Sequence, residues 1–354
     1  MKSEHRSDEI FLLLEKLKEN AQKAQEKATQ IGKIIGYVSP FTEAVAQEGS
    51  FEVGILVDIN NYLDLKKLLA QPGAVLAAVD IATLEVISLK VIGVSRTDFY
   101  SMMGAQEAIT PYSIIQDTRG LLTKPQLMVK PLLAFRFEDG RLFEGRASSY
   151  VIEPRSPVVL LKPEFLETLL GIKGEVVLGA LTIGEEPVIT ENRIARALLP
   201  FDDLFYHTFV VGTTGSGKTT FVKNLIKSLL NLEKGATIIC IDENGDYVQT
   251  IFDPQWELED PASETREKEL AKQLYGDIEG LKEINILLPV TKQFAEDVDS
   301  LEKLAEKYYE HYLKKLHMQA ESTKEVEYRC ERENKIAVLS LEVTNKQTRK
   351  RLEK

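Results

Sequence analysis

The stretch "FVVGTTGSGKTTFVKNLIKSLL", residues 209–230, decides how this chain of 354 residues reads. An apolar run is broken by three glycines, a lysine follows the break, and apolar residues resume at helical spacing. Gly212 to Thr219 fits the pattern G-x-x-x-x-G-K-[ST] at every fixed position, between a predicted strand and a predicted helix. Glycine serves here because main-chain amides must turn inward around a polyphosphate, with dihedrals and close approaches that a side chain would obstruct. The helix starting near Lys218 adds unpaired N–H groups and the positive end of its dipole. The candidate nucleotide-binding residues are Gly212, Thr213, Thr214, Gly215, Ser216, Gly217, Lys218, Thr219 and Thr220. In this reading Lys218 reaches the β and γ phosphates of ATP, and the Thr219 hydroxyl ligates Mg2+.

The flanks fit the same reading. Phe221, Leu225, Leu229 and Leu232 fall on one helical face, and "ATIICIDENGDY" (236–247) follows as a second continuous apolar run. Strand, helix and strand with fully apolar strands predict the βαβ unit of a parallel sheet. Asp242 and Glu243 stand at the end of that second run, the edge of a parallel sheet where ligands bind. With Lys218 they are the candidate catalytic residues, orienting water or magnesium; the competing reading of Asp242 is a strand-end cap. Beyond them, "INILLPV" (284–290) and "KIAVLSLEV" (335–343) predict strands. Val298, Leu301, Ala305, Tyr308, Tyr312 and Leu316 predict a long helix within 297–333.

Toward the N-terminus, "GEEPVITENRIARALLP" (184–200) reads as a charged connection, and a domain boundary near 190 follows. From Ile31 to Ile183 short β-rich runs alternate with turn residues, which predicts a barrel or sandwich. Asp139-Gly140 predicts a hairpin, and Pro163 and Gly171 bracket a short helix. Residues 8–30 predict a helix with a seam at Ile10, Leu14, Leu17, Ala21, Ala24 and Ala28, packing on its own domain or on a neighbouring subunit. Lys130, Arg136, Arg141, Arg146 and Arg155 are either a solvated face or a nucleic-acid track. The predicted organisation is a helical arm at 1–30, a β-barrel domain at 31–190 and a P-loop domain at 191–354.

Composition bounds the function. A net charge of -11 excludes a whole-surface nucleic-acid binder, though not a local basic channel. The two cysteines, Cys240 and Cys330, lack metal-type spacing, and the histidines at 5, 207, 311 and 317 form no i,i+4 pair. No apolar stretch approaches the roughly 18 residues of a membrane span, and the N-terminus lacks a signal-peptide core, so a cytoplasmic protein without membrane contact is expected.

The β-rich region, then "YHTFVVGTTGSGKTTFVKNLI", then "IICIDENGDY", resembles the HerA branch of the HerA/FtsK ATPases. The resemblance implies an α+β and α/β two-domain fold: an N-terminal β-barrel of the HAS type, then a RecA-like P-loop α/β domain with a helical insertion. In that family the second strand ends in Asp-Pro-His-Gly-Glu-Tyr. Here it reads Asp242-Glu243-Asn244-Gly245-Asp246-Tyr247, without the Pro and His. The resemblance further implies a homo-hexameric ring that uses ATP and Mg2+ to thread duplex DNA, as a helicase or translocase. Such rings work beside a NurA-type nuclease in DNA end processing and repair, or with another effector protein in defence. "NKIAVLSLEVTNKQTRKRLEK" resembles the strand and helix that precede the family's Walker B strand, and its "SLEV", with Glu342, lacks the Asp-Glu pair. The RecA-like domain is therefore expected to be partial, with neither Walker B pair nor arginine finger in this sequence. Three functional readings follow: a DNA-translocating ATPase, a nucleotide-binding scaffold that docks a partner protein and hydrolyses ATP poorly, or a P-loop enzyme of another kind, such as a secretion ATPase or a kinase.

Overall fold

The computed structural model of the chain describes residues 2–41, 45–47, 50–69, 71–97, 123–148, 150–184, 186–233, 236–242, 246–251, 260–276, 280–281, 283–289, 300, 303, 306–307, 310, 324–333 and 336–345. The chain divides into two compact units, Met1–Gly174 with Gly179–Pro200, and Glu175–Leu178 with Phe201–Lys354.

The first unit begins with α1, Lys2–Ile31. Ala24, Ala28 and Ile31 are fully buried, whereas Phe11, Leu12, Leu13 and Leu14 are at least half exposed. The seam therefore splits: its later half packs on its own domain and Leu14 stays exposed. Six antiparallel strands follow: β1 (Gly32–Val38), β2 (Ser50–Val57), β3 (Val75–Val79), β4 (Val86–Thr97), β5 (Lys124–Phe135) and β6 (Pro157–Leu161). β1 pairs with β2 and β6, β6 with β3, β3 with β4, β4 with β5, and β5 returns to β2, so the barrel closes. Closure removes the unpaired edges that an open sheet would leave.

Local chemistry explains these elements. A Cβ on Gly36 would lie 2.1 Å from the Leu56 carbonyl oxygen and one on Gly32 2.2 Å from that of Leu160, so the strands approach too closely for any side chain. In β3 the uninterrupted apolar run "VLAAV" has a use for both faces. Leu76 and Ala78 join the barrel interior, while Ala77 and Val79 join a second core with Ala24, Ala28 and Ile31 of α1. Asp139 and Gly140, at φ 48° and 75°, make the predicted tight hairpin between Phe137–Glu138 and Arg141–Leu142. Helix α2, Pro163–Leu169, starts on its proline, and Gly171 follows at φ 71°.

The charged connection at 184–200 is itself structured. Glu186–Pro187 pairs with Thr182–Ile183, and Ile189–Thr190 with Arg193–Ile194, through a turn at Glu191 and Asn192 with φ 53° and 60°. Val188, Ile194 and Ala195 are buried in the first unit. Glu167 of α2 accepts bonds from the Arg196 amide at 2.8 Å and its Nε at 3.2 Å.

In the second unit, α3 (Lys218–Leu230) and α4 (Pro261–Tyr275) accompany a three-stranded antiparallel sheet of β7 (Glu283–Pro289), β8 (Lys324–Glu333) and β9 (Ile336–Asn345), with β9 central. β7 and β9 stand where the sequence predicts strands. Inside the 297–333 window in which the sequence predicts a helix, residues 324–333 form β8; the helical positions Val298 to Leu316 lie outside the described residues. In "KEVEYRCERE" Val326, Tyr328 and Cys330 alternate with charges, a period of two that favours a strand. The apolar runs at 208–211 and 236–242, read as parallel strands, carry no strand ladder. A parallel strand needs a neighbour and a covering layer, and Phe209, Val211, Ile239 and Ile241 are instead 70% to fully exposed.

Candidate functional site

Between the run that ends at Val211 and α3, the chain curls. Gly215 and Gly217 sit at φ 80° and 84°, a region glycine enters without steric cost, and the Ser216 amide donates to the Thr213 carbonyl at 3.2 Å. Space at these two positions is open, so glycine is required for its dihedral. At Gly212 the reason is different. A Cβ there would lie 2.3 Å from the Ser216 hydroxyl oxygen, so crowding inside the loop excludes one. Gly217 is the N-cap of α3 and supplies no side-chain acceptor, and the first turn holds no acidic residue. The first amides of α3 therefore lack a side-chain cap, which is what an anion site requires.

Lys218 braces this loop. Its Nζ donates to the carbonyls of Gly212 at 2.8 Å and Thr213 at 2.7 Å, across the base of the curl. Thr219 and Lys218 are half-buried at the start of the helix, while Gly212 to Gly217 and Thr220 are exposed. Helix α3 is anchored further on by Ile226 and Ser228, both buried, and Ser228 Oγ accepts the Val177 amide at 2.7 Å. A glycine-rich curl, a positive helix end and one ammonium group suit a polyphosphate, and the threonine hydroxyl beside them suits a divalent cation.

Asp242 is half-buried and Glu243 lies outside the described residues. The Asp242 Oδ2 accepts the Tyr247 amide at 2.8 Å. Burial first, and then the Asp242 carboxylate, push the Cys240 thiol up; burial also raises Tyr247, with Cys240, Asp242 and Asp246 adding to it. Neither group is poised as a nucleophile. Sequence reasoning missed one contact here: Lys223 Nζ of α3 donates to Gln249 Oε1 at 2.9 Å. Lys223 is one of several lysines on an amphipathic helix, and no local pattern marks its partner 26 residues on.

The five basic residues of the barrel do not form one element. Lys130 is exposed on β5 opposite Lys90, Arg136 lies over the Phe143 ring at 6.0 Å, and Arg146 pairs with Glu85 at 2.9 Å. Arg141 is in the hairpin, and Arg155 occupies a turn at φ 67°. Among the described residues no cluster suits a metal ion, and no helix is long and apolar enough to cross a membrane.

Residues 189–353 match the family model described as "Helicase HerA, central domain", slightly under half of the chain. An uncharacterized protein of Aquifex aeolicus (strain VF5), aq_aa31, is 46% identical over 41 residues, 12% of this chain and 15% of that relative.

Proposed function

On the match of residues 189–353 to the HerA central domain the chain belongs with the HerA/FtsK-type P-loop ATPases, and we propose that it is the motor subunit of a hexameric ring that moves on duplex DNA. The observation that carries the nucleotide-binding part of this reading is the curled loop Gly212–Thr219 with Lys218 braced across it. Loop amides and Lys218 would hold the phosphates of ATP, and the Thr219 hydroxyl would hold Mg2+. When bound, the magnesium nucleotide supplies the polarised phosphoryl group that water attacks. The motor would act in the cytoplasm, docking a nuclease of the NurA type or another effector protein.

A second reading, a nucleotide-binding scaffold that hydrolyses ATP poorly, is favoured by one contact. Asp242 has its carboxylate engaged by the Tyr247 amide, so its assignment to water or magnesium competes with a turn-closing role. Turnover of ATP with and without linear duplex DNA, beside a Lys218→Ala control, tests both. Stimulation by DNA that the control loses supports the motor. Tight magnesium-nucleotide binding with negligible turnover supports the scaffold, and absence of binding at millimolar nucleotide removes both.

A further inference from the structure

Residues 246–251, a little beyond Asp242, form a compact knuckle. Its bonds run from the Tyr247 amide to Asp242 at 2.8 Å, and from the Thr250 amide and hydroxyl to the Tyr247 carbonyl at 3.1 and 2.7 Å. Ile251 is buried beneath it, and the Leu281 amide donates to the Thr250 carbonyl at 2.8 Å, which ties the knuckle to the residues just before β7. A side-chain tie to the nucleotide-loop helix runs from Lys223 Nζ to Gln249 Oε1, at 2.9 Å. Lys223 stands five residues beyond Lys218, about 7.5 Å along the helix axis and on a different face from the phosphate loop. It is half-buried, and its bond to Gln249 is charge-assisted.

We propose that Lys223 and Gln249 are a positioning pair, which holds the Asp242 knuckle against α3 so that occupancy of the phosphate loop is felt at Asp242. The pair touches no nucleotide; it acts through the helix on one side and the turn on the other. This inference rests on nucleotide binding by the loop, and its first test does not.

Hydrogen exchange of the nucleotide-free full chain reads the tie directly. Lys223→Met, which keeps length and removes the donor, is expected to speed exchange of the Tyr247 amide at least fivefold, while Lys223→Arg restores protection and the barrel amides stay unchanged. Exchange at Tyr247 unaffected by Lys223→Met overturns the proposal whatever the loop binds. The second arm adds magnesium ATP at saturation. Added protection at 246–251 in the wild type and its loss in Lys223→Met, with the dissociation constant within about twofold, supports the coupling. Equal added protection in both reduces the pair to a structural contact and overturns it. In a turnover assay the same variant is expected to lose about tenfold in kcat with KM preserved. Failure of the wild type to bind nucleotide condemns the proposed function and the coupling, and leaves the nucleotide-free result to judge the tie.

Discussion

Leu89 and Ile239 both lie in apolar runs that read as strands, yet Leu89 is fully buried and Ile239 is 80% exposed. The difference is one of closure. β4, which carries Leu89, has paired neighbours on both sides in a barrel that completes its own ladder. The run 236–242 has no ladder, and the buried hydrophobic residues described in its unit are Val176, Ile226 and Ile251. Antiparallel strands satisfy one another through nearby chain. Parallel strands depend on distant partners and on covering layers, so the sequence that marks a nucleotide loop most clearly also flanks it with the least self-sufficient strands.

The sharpest way to break this comparison is at Gly36. An added Cβ would lie 2.1 Å from the Leu56 carbonyl oxygen, and only backbone movement could relieve it. Gly36→Ala is expected to cost more than about 4 kcal/mol and abolish the cooperative thermal transition of the first unit. A variant that melts like the wild type would show that the barrel is not tightly closed there. Leu89→Ala comes next, a cavity in a fully buried site, at about 3 kcal/mol by denaturant unfolding. The same substitution at the exposed Ile239 should change stability by less than about 0.5 kcal/mol. If the two cost the same, exposure is not what separates the two units.

Ligand binding gives a third, smaller effect, confined to the other unit. Magnesium ATP at about 100 times its dissociation constant should stabilise the second unit by about 2.7 kcal/mol and leave the barrel transition in place. Lys218→Ala, which removes two bonds to loop carbonyls and the phosphate contact proposed for its ammonium group, should weaken binding about 100-fold and erase the shift. Calorimetry of both proteins checks it, and an undiminished shift in the variant would remove Lys218 from the account.

Much of this was legible in the sequence, for physical reasons. The loop fits because glycine dihedrals and one lysine leave a fixed spacing, and the Asp139-Gly140 hairpin because two positive φ angles admit few residues. What was not legible is tertiary. Val188, Ile194 and Ala195 sit in a charged stretch that reads as a linker, yet all three are buried, because a short alternating hairpin shows too few apolar residues to register. The alternation at 324–333 has the period of a strand, a signal that the helical spacing at 298–316 overshadows when the 297–333 window is read together. The Lys223 bond to Gln249 leaves no trace in either local segment.

The smallest effect tests whether the polar side of the barrel is as closed as its core. The Tyr150 hydroxyl donates to Glu85, which also accepts Arg146 Nη2 at 2.9 Å, and burial foremost, with that bond to Glu85, pushes the hydroxyl up to about 12. A folded value above the unfolded one, about 10, favours the neutral hydroxyl in the fold. Its contribution is whole below about pH 10 and is lost as pH rises through about 12. Two pKa units would correspond to about 2.7 kcal/mol, but the group is only partly buried and solvent screening reduces this to about 1 kcal/mol. Denaturant unfolding at about pH 9 and about pH 11.5 should therefore show the stability gap between wild type and Tyr150→Phe narrowing by about 1 kcal/mol at the higher pH. A gap that stays constant would mean that Glu85 does not hold this hydroxyl, and that the polar rim of the barrel is as open to water as the runs beside the nucleotide loop.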